Sequence, residues 1–404
     1  MGPEQGLEWP FTLDVPVLLA DGWQPLPFRE FIVKVHSRCD LSCDYCYMYE
    51  MADQSWRSQP KRMSVDIAET TALRIGEHAR AHGLREVALV LHGGEPLLAG
   101  RELISLLVAA TRKAAGPGVT VHAYVQTNAV GLTDAYLRLF DELDVRVGVS
   151  LDGGPEEHNR HRRFASGRGS HAAVAAGLER LRQPRYRHLF GGLLCTVDVR
   201  NDPIATYEAL LAFEPPIIDF LLPHGTWDVP PPERGREAQQ TPYADWLIAI
   251  FDHWYHVPAT GVRMFESIMR LLLREASSAG ESVGLAPSAM VVIETNGSIE
   301  QVDSLKATYE GATATGLHVA KDPLDAALLL PSMVARQIGV RALAAQCRSC
   351  PIHQVCGGGQ YPHRYRSGSG FANPSVYCPD LMSFIYHVAT VVRADLAARL
   401  GSAS

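Results

Sequence analysis

Three cysteines, Cys39, Cys43 and Cys46, form a C-x3-C-x2-C array near the start of the chain, and four more, Cys347, Cys350, Cys356 and Cys378, stand near its end. Grouped thiolates are soft ligands that hold zinc or iron–sulfur clusters. Three on one tight loop can hold three irons of a 4Fe–4S cluster and leave the fourth iron without a protein ligand. Four-cysteine ligation is the usual pattern, so a three-cysteine loop points to catalysis more than to electron storage. A zinc site is the alternative, with His36 as fourth ligand. The second set reads C-x2-C-x5-C, with Cys378 22 residues further on. Its spacing suits zinc and a 4Fe–4S cluster equally. Cys195, alone in the apolar run 192–197, reads as a small buried hydrophobe.

These residues need a frame. Short apolar runs over 31–35, 86–91, 119–125, 145–151, 189–197 and 217–222 alternate with amphipathic runs over 64–82, 101–114, 133–142, 170–181 and 203–213. Ser64 and Thr133 stand at N-cap positions. Strands alternating with helices predict βαβ units and a parallel sheet. Six units suit an α/β fold with a partial (β/α)6 TIM-like barrel, whose chemistry belongs at the C-terminal ends of the strands. The first cysteine loop follows the first strand directly. A Pro- and Gly-rich stretch over 223–242 reads as a linker, followed by helices over 243–256 and 262–275. Residues 290–303 read as a hairpin turning at Asn296-Gly297, and 381–400 as a last helix. The expected division is an N-terminal segment 1–29, the barrel 30–225, a linker with bridging helices 226–285, and a cysteine-bearing region 286–404.

Composition narrows the function classes. The 404 residues are 47% hydrophobic and 20% charged, with a net charge of −7 and a pI of about 6.1. That balance gives no reason to expect nucleic acid or an anionic membrane as partner. No run of 18 apolar residues is present, and the first ten residues lack a basic segment ahead of an apolar one. A cytoplasmic protein is expected, in which the eight cysteines are thiols or metal ligands, not disulfides.

The loop Cys39-Asp-Leu-Ser-Cys43-Asp-Tyr-Cys46, with aromatic Tyr45 before its last cysteine, resembles the radical S-adenosylmethionine (SAM) superfamily. The resemblance continues strand by strand. Gly93-Gly94-Glu95-Pro96 looks like the segment that binds the methionine amino group. Gln126-Thr127-Asn128 ends the third strand, and Ser150-Leu-Asp152-Gly153 the fourth. It implies that Ser150 and an arginine hold the cofactor carboxylate, Arg162 being preferred by register over Arg160 and Arg163. Tyr45, Gly93, Gly94, Glu95, Asn128, Ser150, Asp152 and Arg162 are therefore the expected cofactor-binding residues.

The second set resembles the SPASM/twitch-type auxiliary domain of peptide-modifying radical SAM enzymes, which usually holds two auxiliary clusters. Here Gln360 and Val302 stand where that family has cysteines. The resemblance therefore implies one auxiliary 4Fe–4S cluster on Cys347, Cys350, Cys356 and Cys378, hence two clusters in all. In related enzymes an aspartate after the turn cysteine takes a substrate proton. The matching residue is Asp303, which could otherwise be a solvated turn carboxylate.

Stretches such as Gln54-Ser-Trp-Arg57, Pro60-Lys-Arg-Met-Ser64 and Cys356-Gly-Gly-Gly-Gln-Tyr-Pro-His-Arg-Tyr365 resemble peptide maturases of the FxsB type. That implies cleavage of SAM, hydrogen abstraction from a β-carbon of a ribosomally made precursor peptide, and a carbon–carbon cross-link to an aromatic ring. It also implies an external electron donor such as flavodoxin or ferredoxin. Other outcomes stay open: serine or cysteine oxidation as in sulfatase maturation, a thioether bridge, or epimerisation. So does a non-enzymatic metal-binding module. The roughly 29 residues before the first strand are too few for a fused leader-binding winged domain.

Overall fold

The computed structural model describes residues 8–234, 240–275 and 281–402, so parts of the expected N-terminal segment and linker lie outside the described residues. The six expected strands all form: β1 (Glu30–His36), β2 (Glu86–Gly93), β3 (Thr120–Thr127), β4 (Val145–Ser150), β5 (Phe190–Thr196) and β6 (Ile217–Leu221). They pair parallel in chain order. Their inward side chains, among them Phe31, Val33, Leu89, Leu91, Val147 and Val149, are fully buried. Helices Val65–Ala81, Arg101–Ala115, Asp134–Glu142, His171–Leu181 and Pro203–Leu211 connect them.

Local chemistry sets the helix starts. The Ser64 hydroxyl accepts from the Ile67 amide at 3.2 Å, and the Asp202 carboxylate from the Ala205 amide at 2.8 Å, with Pro203 next to the cap. Thr133 occupies its N-cap position without a side-chain hydrogen bond.

The sheet is wider than six strands. β7 (Gly261–Val262) pairs parallel with β6, and β8 (Met290–Ile293) pairs parallel with β1. β9 (Ser298–Glu300) and β10 (Ala314–His318) extend that edge antiparallel. The order is β10-β9-β8-β1-β2-β3-β4-β5-β6-β7. The expected hairpin is β8–β9, turning at Gly297 with φ +93°. It belongs to the same sheet as the barrel strands, so the sheet runs across the expected boundaries at 225 and 286.

The last helix, Cys378–Ser402, starts three residues earlier than expected. Its length, and a mean hydropathy of 1.3 over an 18-residue window within 378–400, would suit a membrane span. Leu381, Phe384, Ile385, Val388 and Val392 recur at helical spacing and are buried in the core, as in an amphipathic helix of a globular protein. Asp380 accepts from the Tyr243 amide at 3.0 Å and ion-pairs Arg234 at 3.1 Å, which ties the start of this helix to the helix Pro242–His256.

Candidate active site

The C-terminal ends of β1 to β6 surround a cavity of about 190 Å³. The loop after β1 contributes Cys39, Cys43, Cys46 and Tyr45. His92, Gly93, Gly94 and Glu95 come from the end of β2, and Gln126, Thr127 and Asn128 from the end of β3. Ser150, Thr196 and the pair Pro223-His224 follow from β4, β5 and β6, and Arg162 from the turn after a short helix, Pro155–His161. Every expected residue of the first cysteine loop and of the strand ends lines this cavity except Asp152, which lies directly behind Tyr45.

Backbone geometry explains the glycines. Gly93 has φ +146°, and a Cβ there would sit 2.1 Å from the His36 carbonyl oxygen. A Cβ on Gly94 would lie 1.9 Å from the Tyr49 hydroxyl and 2.5 Å from the Arg38 backbone. The β2 end thus presses against the cysteine loop at a distance only glycine permits.

Glu95 is buried, and both oxygens of its carboxylate accept hydrogen bonds. Oε1 accepts from Thr127 Oγ1 at 2.6 Å and from the Leu97 amide at 3.0 Å, while Oε2 accepts from the Asn128 amide at 2.8 Å. Burial raises its pKa to about 7 against these three bonds. Its side chain therefore ties β2 to β3. Asn128, so held, directs its Nδ2 toward Asp40 at 2.7 Å and toward the Cys39 sulfur at 3.6 Å. The Leu41 amide also donates to Cys39, at 3.4 Å.

On the opposite wall Tyr45 donates its hydroxyl hydrogen to Asp152 and accepts from Arg162 Nη1 at 2.8 Å. Asp152 also accepts from the Thr196 amide at 3.0 Å and lies 3.9 Å from Arg162. The three candidate arginines separate clearly. Arg162 lines the cavity, Arg160 pairs with Asp198 at 2.7 Å, and Arg163 turns to the Asn159 carbonyl at 2.6 Å. Burial raises the thiol pKa of Cys43 to about 11 and those of Cys39 and Cys46 as well. Thiolates there need a cation, which is the environment a metal cluster provides.

The four C-terminal cysteines also converge. Cys347, Cys350, Cys356 and Cys378 all line one cavity of about 240 Å³. Four thiols on one cavity could hold zinc or a 4Fe–4S cluster. Gly357, Gly358 and Gly359 all have positive φ, near +63°, +79° and +68°, which carries the chain round after Cys356. Buried Arg364 donates to the carbonyls of these three glycines at 2.6, 3.1 and 2.7 Å. Cys378 is the first residue of the last helix, where the helix dipole favours a thiolate. Val302 is buried among Leu305, Tyr361, Tyr365 and Phe371, with the Tyr361 and Phe371 rings stacked at 4.4 Å.

Asp303 differs from the solvated turn carboxylate that was one reading of it. It is buried, ion-paired with Lys34 at 2.6 Å, and not among the residues lining the strand-end cavity. Lys34 also holds Glu294 at 2.7 Å, and buried Lys306 lies 3.5 Å from Asp53 and Glu300. Two cavity residues, His92 and His224, were missed from sequence. Their one signal was position at the ends of the second and sixth strands.

Residues 33–202 match the Radical SAM superfamily. A serine-type anaerobic sulfatase-maturating enzyme of Klebsiella aerogenes is 25% identical over 363 residues, 87% of this chain and 84% of that protein. A cysteine-type anaerobic sulfatase-maturating enzyme of Clostridium perfringens is 25% identical over 284 residues, 69% of this chain and 74% of that one. Among solved structures, native anSMEcpe with bound AdoMet superposes with a TM-score of 0.75 at 19% identity, covering 90% of this chain and 99% of that one. Streptococcus suis SuiB bound to precursor peptide SuiA gives 0.57 at 14% identity, covering 90% and 78%. The structural likenesses speak to the fold. The sequence matches show that this chain carries a radical SAM domain homologous to that of anaerobic sulfatase-maturating enzymes, which fits a radical SAM enzyme.

Proposed function

We propose that this enzyme oxidises a residue of a ribosomally made peptide, joining its β-carbon to an aromatic ring by a carbon–carbon bond. The observation that carries the reading is the strand-end cavity, where three thiols share a wall with Gly93, Gly94, Asn128, Ser150 and Arg162. In this reading Cys39, Cys43 and Cys46 hold a 4Fe–4S cluster. When bound, that cluster and SAM supply a radical able to abstract hydrogen from carbon.

The chain's own residues then have distinct tasks. The backbone at Gly93-Gly94 and the Glu95 region receive the methionine amino group, which the close approach of β2 to the cysteine loop supports. Arg162 and Ser150 receive the carboxylate. Tyr45 and Asp152 hold Arg162 in place, and Asn128 steadies the loop at Cys39 and Asp40.

Residues 286–404 act in this reading as a SPASM-like region with one auxiliary 4Fe–4S cluster on Cys347, Cys350, Cys356 and Cys378. The converging thiols support it. The apolar and aromatic packing around Val302 supports the absence of a further cluster there. The auxiliary cluster supplies an acceptor for the electron that the substrate radical must lose. An external donor of the flavodoxin or ferredoxin type delivers the initiating electron.

A second reading is oxidation of a serine or cysteine to an aldehyde, favoured by the naming of the sequence relatives as serine-type and cysteine-type sulfatase-maturating enzymes. Both readings begin with hydrogen abstraction from a side-chain carbon. The test is anaerobic turnover of peptides translated from the reading frames flanking the gene, followed by tandem mass spectrometry. A product lacking two hydrogens, without fragment ions between two residues and without a hydrazide adduct, supports the cross-link. A hydrazide adduct supports the aldehyde instead. An unchanged mass rejects both.

A further inference from the structure

The substrate radical must shed one proton as well as one electron, and the expected acceptor, Asp303, does not reach the cavity wall. His92 does. It pairs with Lys34 in the register of β2 against β1, so the two side chains project to the same side of the sheet. Its Nδ1 is buried without a hydrogen-bond partner and faces Asp303 Oδ2 at 4.0 Å. The other carboxylate oxygen, Oδ1, is the one held by Lys34 at 2.6 Å. Asp303 thus stands between a buried ammonium and an imidazole that lines the cavity.

We propose that His92 is the proton acceptor of the oxidation and that Asp303 is its positioning residue. This rests on the reading of the strand-end cavity as the site of substrate oxidation. Protonating Asp303 would dismantle a buried ion pair, which is costly when one partner keeps its charge. At 4.0 Å the Asp303 carboxylate makes no hydrogen bond to the ring, but its charge stabilises the imidazole when it becomes a cation.

The charged groups facing His92 are Asp303, Lys34 and Glu294. Burial lowers its pKa most and Lys34 lowers it further, while Asp303, a backbone hydrogen bond with Gly93 and Glu294 raise it; the net shift is downward, which favours the neutral ring. The step balances. In the adduct radical the ring C–H bond breaks and its proton passes to the His92 imidazole. Of the three electrons concerned, two restore the aromatic sextet, and one would go to an oxidised iron–sulfur cluster of the kind that Cys347, Cys350, Cys356 and Cys378 would hold.

The test uses the reconstituted enzyme, its H92Q and D303N variants, and a flanking-frame peptide deuterated at its β-carbons. In H92Q, deuterium should still appear in 5′-deoxyadenosine near the wild-type rate, while oxidised peptide falls by about a hundredfold. In D303N, loss of the carboxylate weakens the base. Product should fall, and the acid limb of its pH profile should move to lower pH. H92Q forming oxidised peptide in the wild-type ratio to 5′-deoxyadenosine would overturn the assignment. An unmoved acid limb in D303N would overturn the positioning role. Wild-type enzyme that transfers no deuterium would overturn the underlying reading and His92 with it. A measurement independent of turnover is the His92 imidazole pKa by NMR in the cluster-free chain. It should be lower in D303N than in wild type, and equal values would overturn the pairing.

Discussion

Replacing Arg364 with lysine isolates the contribution of one planar fork. Arg364 is buried and donates to three successive carbonyls, those of Gly357, Gly358 and Gly359, at 2.6, 3.1 and 2.7 Å. These groups belong to a turn in which three glycines in a row take positive φ. A lysine keeps the charge but not the fork, and it reaches one or two of the three oxygens at best. Each buried carbonyl left without a donor costs about 1–3 kcal/mol. R364K should therefore cost about 2–4 kcal/mol. The damage should concentrate at the turn that carries Cys356 into its cavity. Arg364 is also the cation that eases the thiols of Cys347 and Cys356, whose pKa values burial raises. R364Q, which removes the charge as well, should be worse. The assay is thermal unfolding of the cluster-free protein with iron counted after anaerobic reconstitution. R364K should lower Tm by several degrees and lose iron from the C-terminal site before the N-terminal one. R364K with wild-type Tm and iron content would refute the claim that the fork holds the turn.

Glu95 makes stability depend on pH. Its pKa is raised to about 7 from 4.5, so above pH 4.5 the folded chain retains a proton that the unfolded chain releases. Its contribution to stability falls as pH rises through that window, by about 3 kcal/mol in all. Melts from pH 5 to 8 should show E95Q losing less stability over this range than wild type; parallel curves would contradict the shift. G94A should cost about 3 kcal/mol or more, because the new methyl meets the Tyr49 hydroxyl and the Arg38 backbone. A well-folded G94A that binds SAM normally would count against the close approach. R162A should weaken SAM binding by about ten- to a hundredfold in equilibrium dialysis, and R163A should leave it unchanged. The reverse result would reassign the arginine.

Much of the frame was legible in the sequence, for physical reasons. β1 to β6 pair parallel with helices between them, so they read as short apolar runs, alternating in β3 and β4, between amphipathic ones. The cysteine spacings survive as loop geometry, and both sets converge on cavities. β7 and β10 were missed because Gly261–Val262 has two residues and Ala314–His318 carries no buried alternation. The stretch after Thr308 up to Ala345 holds only elements of four or five residues, which have no long period to read. Asp303 shows a different limit. Its neighbours Lys34 and His92 are more than 200 positions away, joined to it only by strand register and by the pairing of β8 with β1. His224 likewise belongs to no spacing pattern.

The central claim is that two separate cysteine sets hold two 4Fe–4S clusters. The most direct measurement is iron and sulfide per chain after anaerobic reconstitution, for wild type and for the Cys39/Cys43/Cys46→Ala variant. The account predicts about eight irons in wild type and about four in the variant. About four irons with one zinc in wild type would make the C-terminal site structural, and its role as electron acceptor would fall with it.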